Sequence, residues 1–358
     1  MDGSARGGDL ERMADLVRCD HPSLSTTWLD PDGKYQTRSV ALDALMREVR
    51  DRLSQGFRAL PADEFPMLYC GWGKARVGST ALINLFGVAG LASYYQPIKA
   101  MLRHALTGGD GARWHLPRRS EHPQVFIKDV AGPYLLAECL FIPLQLLVEA
   151  GYPPDRLHLV LLDRQPASAL ASWISKWSDR VSEDRLVRHY VLAALNAVRV
   201  EGYAGRQGVA VTHYVYEASK EAVHSMRALF DRLGLAQRFS KSAVTDWNEM
   251  GQLESDKARI IYPDEPAVYE VPGLHGSDVA YRYRQRSTEA VTEAQRALLA
   301  RTGVDAVYSA SVAACAADLG FDAATRRRLF AAGSGPERPA DTGGARHEQL
   351  AAAAASFQ

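Results

Sequence analysis

Residues 71–87 read GWGKARVGSTALINLFG. The apolar run FPMLYCG (65–71) leads into them, and STALINLFGVAGL leads out. The first is short and ends in glycine, which predicts a buried strand. In the second, Leu82, Leu85 and Phe86 are spaced for one face of a helix. Strand, glycine-rich turn and helix make an anion site, because a helix N-terminus offers unpaired N–H groups and partial positive charge. Glycine lets the backbone curl so that successive N–H groups converge. Ser79 and Thr80 add hydroxyl donors. Gly73 and Gly78 fit the GxxxxG spacing of a nucleoside-triphosphate loop, but Ser79 stands where the loop lysine belongs. The cations stand upstream instead, at Lys74 and Arg76. A triphosphate is therefore a poor first candidate.

Outward from this loop, strand and helix signals alternate. QVFIKDV (124–130), RLHLVLLDR (156–164) and GVAVTHYVYEAS (208–219) read as strands. ASALASWISKW, EDRLVRHYVLAALNAVRVEGYA (183–204) and KEAVHSMRALFDRLGL read as helices. Nearly unbroken apolar strands suit a parallel sheet covered on both faces, so the pattern predicts an α/β fold with a central parallel sheet flanked by helices. The most apolar window, AGPYLLAECLFIPLQLLVEAG (131–151), is interrupted by Pro133, Glu138, Pro143, Gln145 and Glu149. It predicts a buried helix rather than a membrane span. Residues 1–20 predict a flexible segment, 21–333 a single α/β domain, and 334–358, rich in Gly, Pro and Ala, a disordered tail. No internal repeat stands out.

The bulk composition narrows the function. Of 358 residues, 47% are hydrophobic and 23% charged, with 42 basic and 42 acidic side chains and a formal net charge of zero. That argues against a nucleic-acid partner, which calls for a basic excess, but leaves room for a local basic pocket. Cys19, Cys70, Cys139 and Cys315 are scattered with no CxxC pair, which speaks against zinc knuckles and disulfide frameworks. The polar, acid-bearing N-terminus is no secretory signal, so a cytoplasmic location is expected.

Two further stretches turn this into a resemblance. Arg76-Val77-Gly78-Ser79-Thr80 resembles the 5′-phosphosulfate loop of the PAPS-dependent sulfotransferases, PAPS being 3′-phosphoadenosine 5′-phosphosulfate. The strand LHLVLLD then ends in Arg164, and Ser172 follows eight residues later, as in that family's 3′-phosphate motif. A guanidinium forks onto two phosphate oxygens, and a serine one helical step away adds a hydroxyl. VTHYVYEAS (211–219), with Tyr216-Glu217, is similar to the family's strand beside the adenine. The likeness spans roughly residues 65–235 in three ordered motifs. It departs at Val77, where the family usually has a hydroxyl, at Ala81, where many members carry a stacking tryptophan, and at Gln165 in place of Asp.

The resemblance implies a P-loop-like, three-layer fold of the sulfotransferase type. It also implies transfer of a sulfuryl group from PAPS to a hydroxyl or amine, without a metal. Lys74, Ala75, Arg76, Val77, Gly78, Ser79 and Thr80 would hold the 5′ end of the nucleotide, Arg164 and Ser172 its 3′-phosphate, and Tyr216 the adenine. Arg76 and Lys128 would stabilise developing charge. The family's histidine, two residues after that lysine, is Val130 here. Asp129, expected on the opposite strand face, and His104, His115, His122 and His275 remain as candidate bases. The family's acceptor-side Glu-Pro is Gln96-Pro97. Arg282, Arg284 and Arg286 alternate in GLHGSDVAYRYRQR (273–286), fitting a late basic loop that closes the nucleotide site.

The acceptor is expected to be a small or carrier-tethered molecule, consistent with specialised-metabolite tailoring. Tyr94, Tyr95, Trp114, Trp173 and Trp177 are candidate pocket walls. Two other readings stay open: a P-loop kinase or NTPase holding Mg²⁺ on Asp163, and a nucleotide-binding module without catalysis. Monomer and homodimer are both open.

Overall fold

The computed structural model describes residues 3–109, 114–246, 260–261, 263–266, 268–269 and 280–331. The chain runs α1 (Gly3–Arg18), β1 (Trp28–Leu29), β2 (Val40–Ala41), α2 (Leu42–Phe57), β3 (Met67–Lys74) and α3 (Ser79–Val88). It continues with β4 (Ala92–Tyr95), α4 (Pro97–Thr107), β5 (Gln124–Ala131), α5 (Leu136–Leu140), α6 (Pro143–Glu149), β6 (Leu157–Asp163), α7 (Pro166–Trp177) and α8 (Glu183–Arg206). Then come β7 (Ala210–Val215), α9 (Ala222–Arg232), α10 (Ser242–Thr245), β8 (Ile260–Ile261), α11 (Glu293–Arg301), α12 (Val304–Asp318) and α13 (Ala323–Phe330). A 3-10 turn, Tyr216–Glu221, follows β7 directly.

Six strands form one sheet in the order β7-β6-β3-β5-β4-β8, and every pairing in it is parallel. Side chains alternate between two cores with the period of two that a strand dictates. Leu68, Cys70, Trp72, Val125, Ile127, Leu159 and Leu161 face one side, with Leu53, Leu102, Leu144 and Leu195 from the helices. Tyr69, Phe126, Val160, Leu162 and Tyr214 face the other, with Leu82, Phe86, Phe230 and Cys315. Both sheet faces are covered by helices, as an all-parallel sheet requires.

The topology decides where a site can form. β3 is central; the chain leaves it through residues 75–78 into α3 and returns two places away as β4, with β5 later filling the gap. β6 is laid on the other side of β3. A crevice opens at such a reversal, outside the carboxyl ends of the strands.

Two expectations change. Residues 3–18 form a helix, and Leu10, Ala14 and Val17 at helical spacing are buried where α1 packs on α8, so the N-terminal segment is not a loose arm. The window 131–151 is not one helix: Pro143 opens α6 after an extended Phe141–Ile142, separating it from α5. The tail 334–358 lies outside the described residues. Among the described residues no helix is long and apolar enough to cross a membrane.

Candidate functional site

The turn after β3 is built by close approaches that only glycine permits. A Cβ on Gly73 would lie 2.3 Å from the Leu162 carbonyl oxygen, so β3 and β6 touch there backbone to backbone. Gly78 has φ +81°, and a Cβ on it would lie 2.6 Å from the Tyr216 ring. Arg76 also has positive φ, at 72°. Left-handed residues in a short turn swing N–H groups to one side, forming an anion-binding concavity. Gly78 stands at the N-cap of α3 with no side chain capping the helix. The first N–H groups of α3, at Ser79 and Thr80, thus open toward the crevice.

Arg164 enters from the end of β6 and is 93% buried, its accessible fraction being 7%. Its guanidinium donates to the carbonyls of Arg76 (3.1 Å) and Arg284 (3.4 Å) and lies 4.6 Å from the centre of the Tyr216 ring. Its Nε is buried without a hydrogen-bond partner. A buried guanidinium bonded only to neutral groups is costly unless a ligand supplies the charge. Arg76 reaches across to α7, where its Nε donates to Ser172 Oγ at 2.9 Å. Burial, then the nearby Arg164 and Arg286, push Arg76 below its ordinary pKa.

The late basic segment forms the far wall. Tyr281 N donates to Val244 O, Tyr283 N to Ser219 O, and Arg284 N to Tyr216 Oη at 3.1 Å. Arg286 bonds Ser175 of α7. Residues 280–286 thereby bridge the 3-10 turn after β7 to α7.

β5 supplies the floor. Lys128 and Tyr95 are register partners across β5 and β4, and Lys128 Nζ lies 3.9 Å from the Tyr95 ring centre. Burial, then Lys99, push Lys128 well below its ordinary pKa. Asp129 points the other way, as strand alternation demands, and its Oδ1 accepts the Lys99 N–H at 3.0 Å. Burial pushes Asp129 up to about 6. Beyond lies a buried network. Arg103 donates to Glu138 Oε1 (2.7 Å) and Glu265 (3.0 Å), and Lys99 bonds the Gly132 carbonyl and lies 3.7 Å from Glu138. Burial opposes ionisation of Glu138, but Arg103 and Lys99 outweigh it and hold its pKa below the usual value. Burial lowers Lys99 to about 8.

These walls enclose a cleft of about 380 Å³. Ten cations line it, namely Arg76, Lys99, Arg103, Lys128, Arg164, Lys176, Arg180, Arg282, Arg284 and Arg286, and among the described residues no carboxylate or imidazole does. Acids lie close behind the walls, each already engaged. Asp163 holds Lys74 and the Arg164 N–H, Glu217 the Gln165 N–H, Asp129 the Lys99 N–H, and Glu138 with Glu265 hold Arg103.

The cleft collects most of the residues singled out from sequence: Ala75, Arg76, Gly78, Ser79, Thr80, Lys128, Arg164, Ser172, Tyr216, Arg282 and Arg284 all line it. Others fall outside. Lys74 is turned back onto Asp163, over the Tyr190 ring, so it is no ligand-binding cation. Val77 is buried in the core beneath the loop. His104 is tied through Nε2 to the Asp264 carbonyl and does not line the cleft, and Asp129 faces away, so neither is placed as a base. His115 and His122 are exposed outside the cleft, and His275 lies outside the described residues. Asp163 is occupied by Lys74, which weakens its reading as a magnesium ligand. Of the aromatic candidates Tyr95 and Trp177 line the cleft, while Tyr94, Trp114 and Trp173 are core.

Lys99, Arg103, Tyr134, Lys176 and Arg180 were missed. A signal existed for the first two: they stand four apart among Ile98, Met101, Leu102 and Ala105, cations on a helix that is otherwise core. No protein-family model, curated protein or solved structure matches the chain.

Proposed function

We propose that the chain is a sulfotransferase of the P-loop-like, three-layer kind, moving the sulfuryl group of PAPS to a hydroxyl or amine of a small or carrier-tethered acceptor. The observation that carries this reading is the cleft itself: ten cations and no carboxylate around a strand–turn–helix anion loop, in a chain with no net charge. In this reading the loop N–H groups and Ser79 and Thr80 hold the 5′ end. Arg164 and the 282–286 segment hold the 3′-phosphate, and Tyr216 flanks the adenine. The acceptor oxygen attacks sulfur, the bond from sulfur to the bridging phosphate oxygen breaks, and adenosine 3′,5′-bisphosphate leaves. Arg76 and Lys128 stand where they would neutralise charge on the bridging and sulfuryl oxygens. Preorganised cations in a water-poor cleft are the main resource for such displacements.

The lack of an imidazole or carboxylate in the described lining favours one second reading, a module that holds the nucleotide without turnover. Incubation with PAPS in EDTA and a panel of hydroxylated acceptors separates the two. Sulfotransfer predicts acceptor-dependent release of the 3′,5′-bisphosphate. Magnesium-dependent turnover of ATP instead would reject both.

A further inference from the structure

Ser172, Lys176 and Arg180 step away from the loop along one edge of the cleft. Ser172 bonds Arg76, and Lys176 lies one turn further along α7, roughly 6 Å at 1.5 Å per residue. Arg180 follows the end of that helix beside the Tyr134 hydroxyl. Six of the lining cations, Arg76, Lys128, Arg164, Arg282, Arg284 and Arg286, surround the loop end. There they face the nucleotide's phosphosulfate and 3′-phosphate, and a phosphate monoester carries about −1.5 to −2 at neutral pH. The other four belong to the far end. Arg103 and Lys99 are met from behind by Glu138 and Glu265. Lys176 is exposed, and Arg180 has Asp179 at 3.6 Å, a carboxylate 70% exposed and screened by water. Pro133, Tyr134 and Trp177 form the walls between these cations.

Resting on the sulfuryl-transfer reading, we propose that the acceptor is itself an anion, a hydroxylated molecule whose acid group docks at Lys176 and Arg180 beyond the reacting oxygen. A cationic acceptor meets only like charge in this half of the cleft. A neutral one leaves its cations facing nothing but solvent. An acid group makes charge-assisted hydrogen bonds there and turns the rest of the acceptor toward Lys128 and Arg76.

The full-length protein, first shown to be saturated with adenosine 3′,5′-bisphosphate, is titrated by calorimetry with four probes. These are 4-hydroxyphenylacetate, hydroquinone monophosphate, neutral 4-hydroxyphenylacetamide and cationic tyramine. At least one acid is expected to bind about tenfold or more tightly than the amide, since a hydrogen bond to a charged group contributes about 1.5–3 kcal/mol. Whichever acid binds better identifies the group as carboxylate or phosphate. The double variant Lys176→Glu/Arg180→Glu should abolish that preference and favour tyramine, while still binding the bisphosphate. Acid and amide binding alike, or no acid binding to the nucleotide-loaded protein, overturns the proposal. A protein that fails to prefer the bisphosphate over ADP overturns the sulfuryl-transfer reading instead, so the two failures are distinguishable.

Discussion

Arg76 and Ser172 are joined: the Nε of the loop arginine donates to the α7 hydroxyl at 2.9 Å, across 96 residues of sequence. Ser172 was expected to share a phosphate with Arg164. Instead it steadies the loop cation, while Arg164 stands behind the loop holding the Arg76 carbonyl. The two arginines thus brace one turn from both sides, and the anion each lacks defines the site.

Arg164 is the sharpest test of that arrangement. With Nε orphaned and no acid in contact, it is retained at a cost to folding. Arg164→Met should leave the melting temperature of the ligand-free protein unchanged or raised. The same variant should weaken binding of adenosine 3′,5′-bisphosphate about 10- to 100-fold. A large fall in ligand-free stability would mean that Arg164 is structural.

Gly78 tests the loop backbone. Gly78→Ala places a methyl against the Tyr216 ring at a φ of +81°. A strained left-handed residue costs about 1–3 kcal/mol. Chemical denaturation should show a loss of that size, and nucleotide binding should fall with it. Wild-type affinity in the alanine variant would show that the turn need not keep this shape.

Lys74 and Asp163 form a buried pair, with side chains 4% and 7% exposed. Removing one member of such a pair costs about 3–5 kcal/mol. Lys74→Met should therefore be strongly destabilised, whereas the double variant Lys74→Met/Asp163→Leu should recover much of the loss. Recovery is read from denaturation midpoints, and no recovery would contradict an isolated pair.

Lys128 links binding to pH. In the empty cleft burial and Lys99 hold its pKa well below the ordinary value. An anion in contact favours the charged amine. Binding of the bisphosphate should therefore take up protons and weaken as pH rises. Calorimetry in buffers of different ionisation enthalpy reads the uptake directly, and Lys128→Met should reduce it. No uptake, or equal uptake in the variant, would contradict the role given to Lys128.

His213 makes stability pH-dependent away from the cleft. Burial opposes its charge, but hydrogen bonds to Asp318 (2.8 Å) and Glu201 (3.2 Å) outweigh it and raise its pKa from 6.5 to about 9. The raised pKa means that the stabilisation is complete below pH 6.5 and lost as pH climbs through about 9. The melting-temperature gap between the wild type and His213→Gln should be widest near pH 6 and close by pH 10. A constant gap would show that His213 acts by packing alone.

Much of the fold was legible because β3, β5, β6 and β7 are apolar runs bounded by turns, and α3, α7, α8 and α9 follow them in register. The four-residue β4 and the two-residue β8 were not, since strands so short carry no period. α1 was missed because its apolar stripe, Leu10, Ala14 and Val17, follows a glycine-rich start. In the site, the loop, Arg164, Tyr216 and the 282–286 arginines were legible from local pattern. Lys99, Arg103 and Glu138 were not, because a buried ion network joins α4 to α5 through space and no local spacing encodes it. Lys74 was misread for the same reason: its neighbour in sequence is the loop, but its neighbour in space is Asp163.

The central claim is that this cleft recognises a nucleotide by its 3′-phosphate. The most direct measurement is calorimetric titration of the full chain, without magnesium, by adenosine 3′,5′-bisphosphate and by ADP. The account predicts clear preference for the 3′,5′-bisphosphate, lost in Arg164→Met. Equal binding of the two, or preference for ADP, would contradict it.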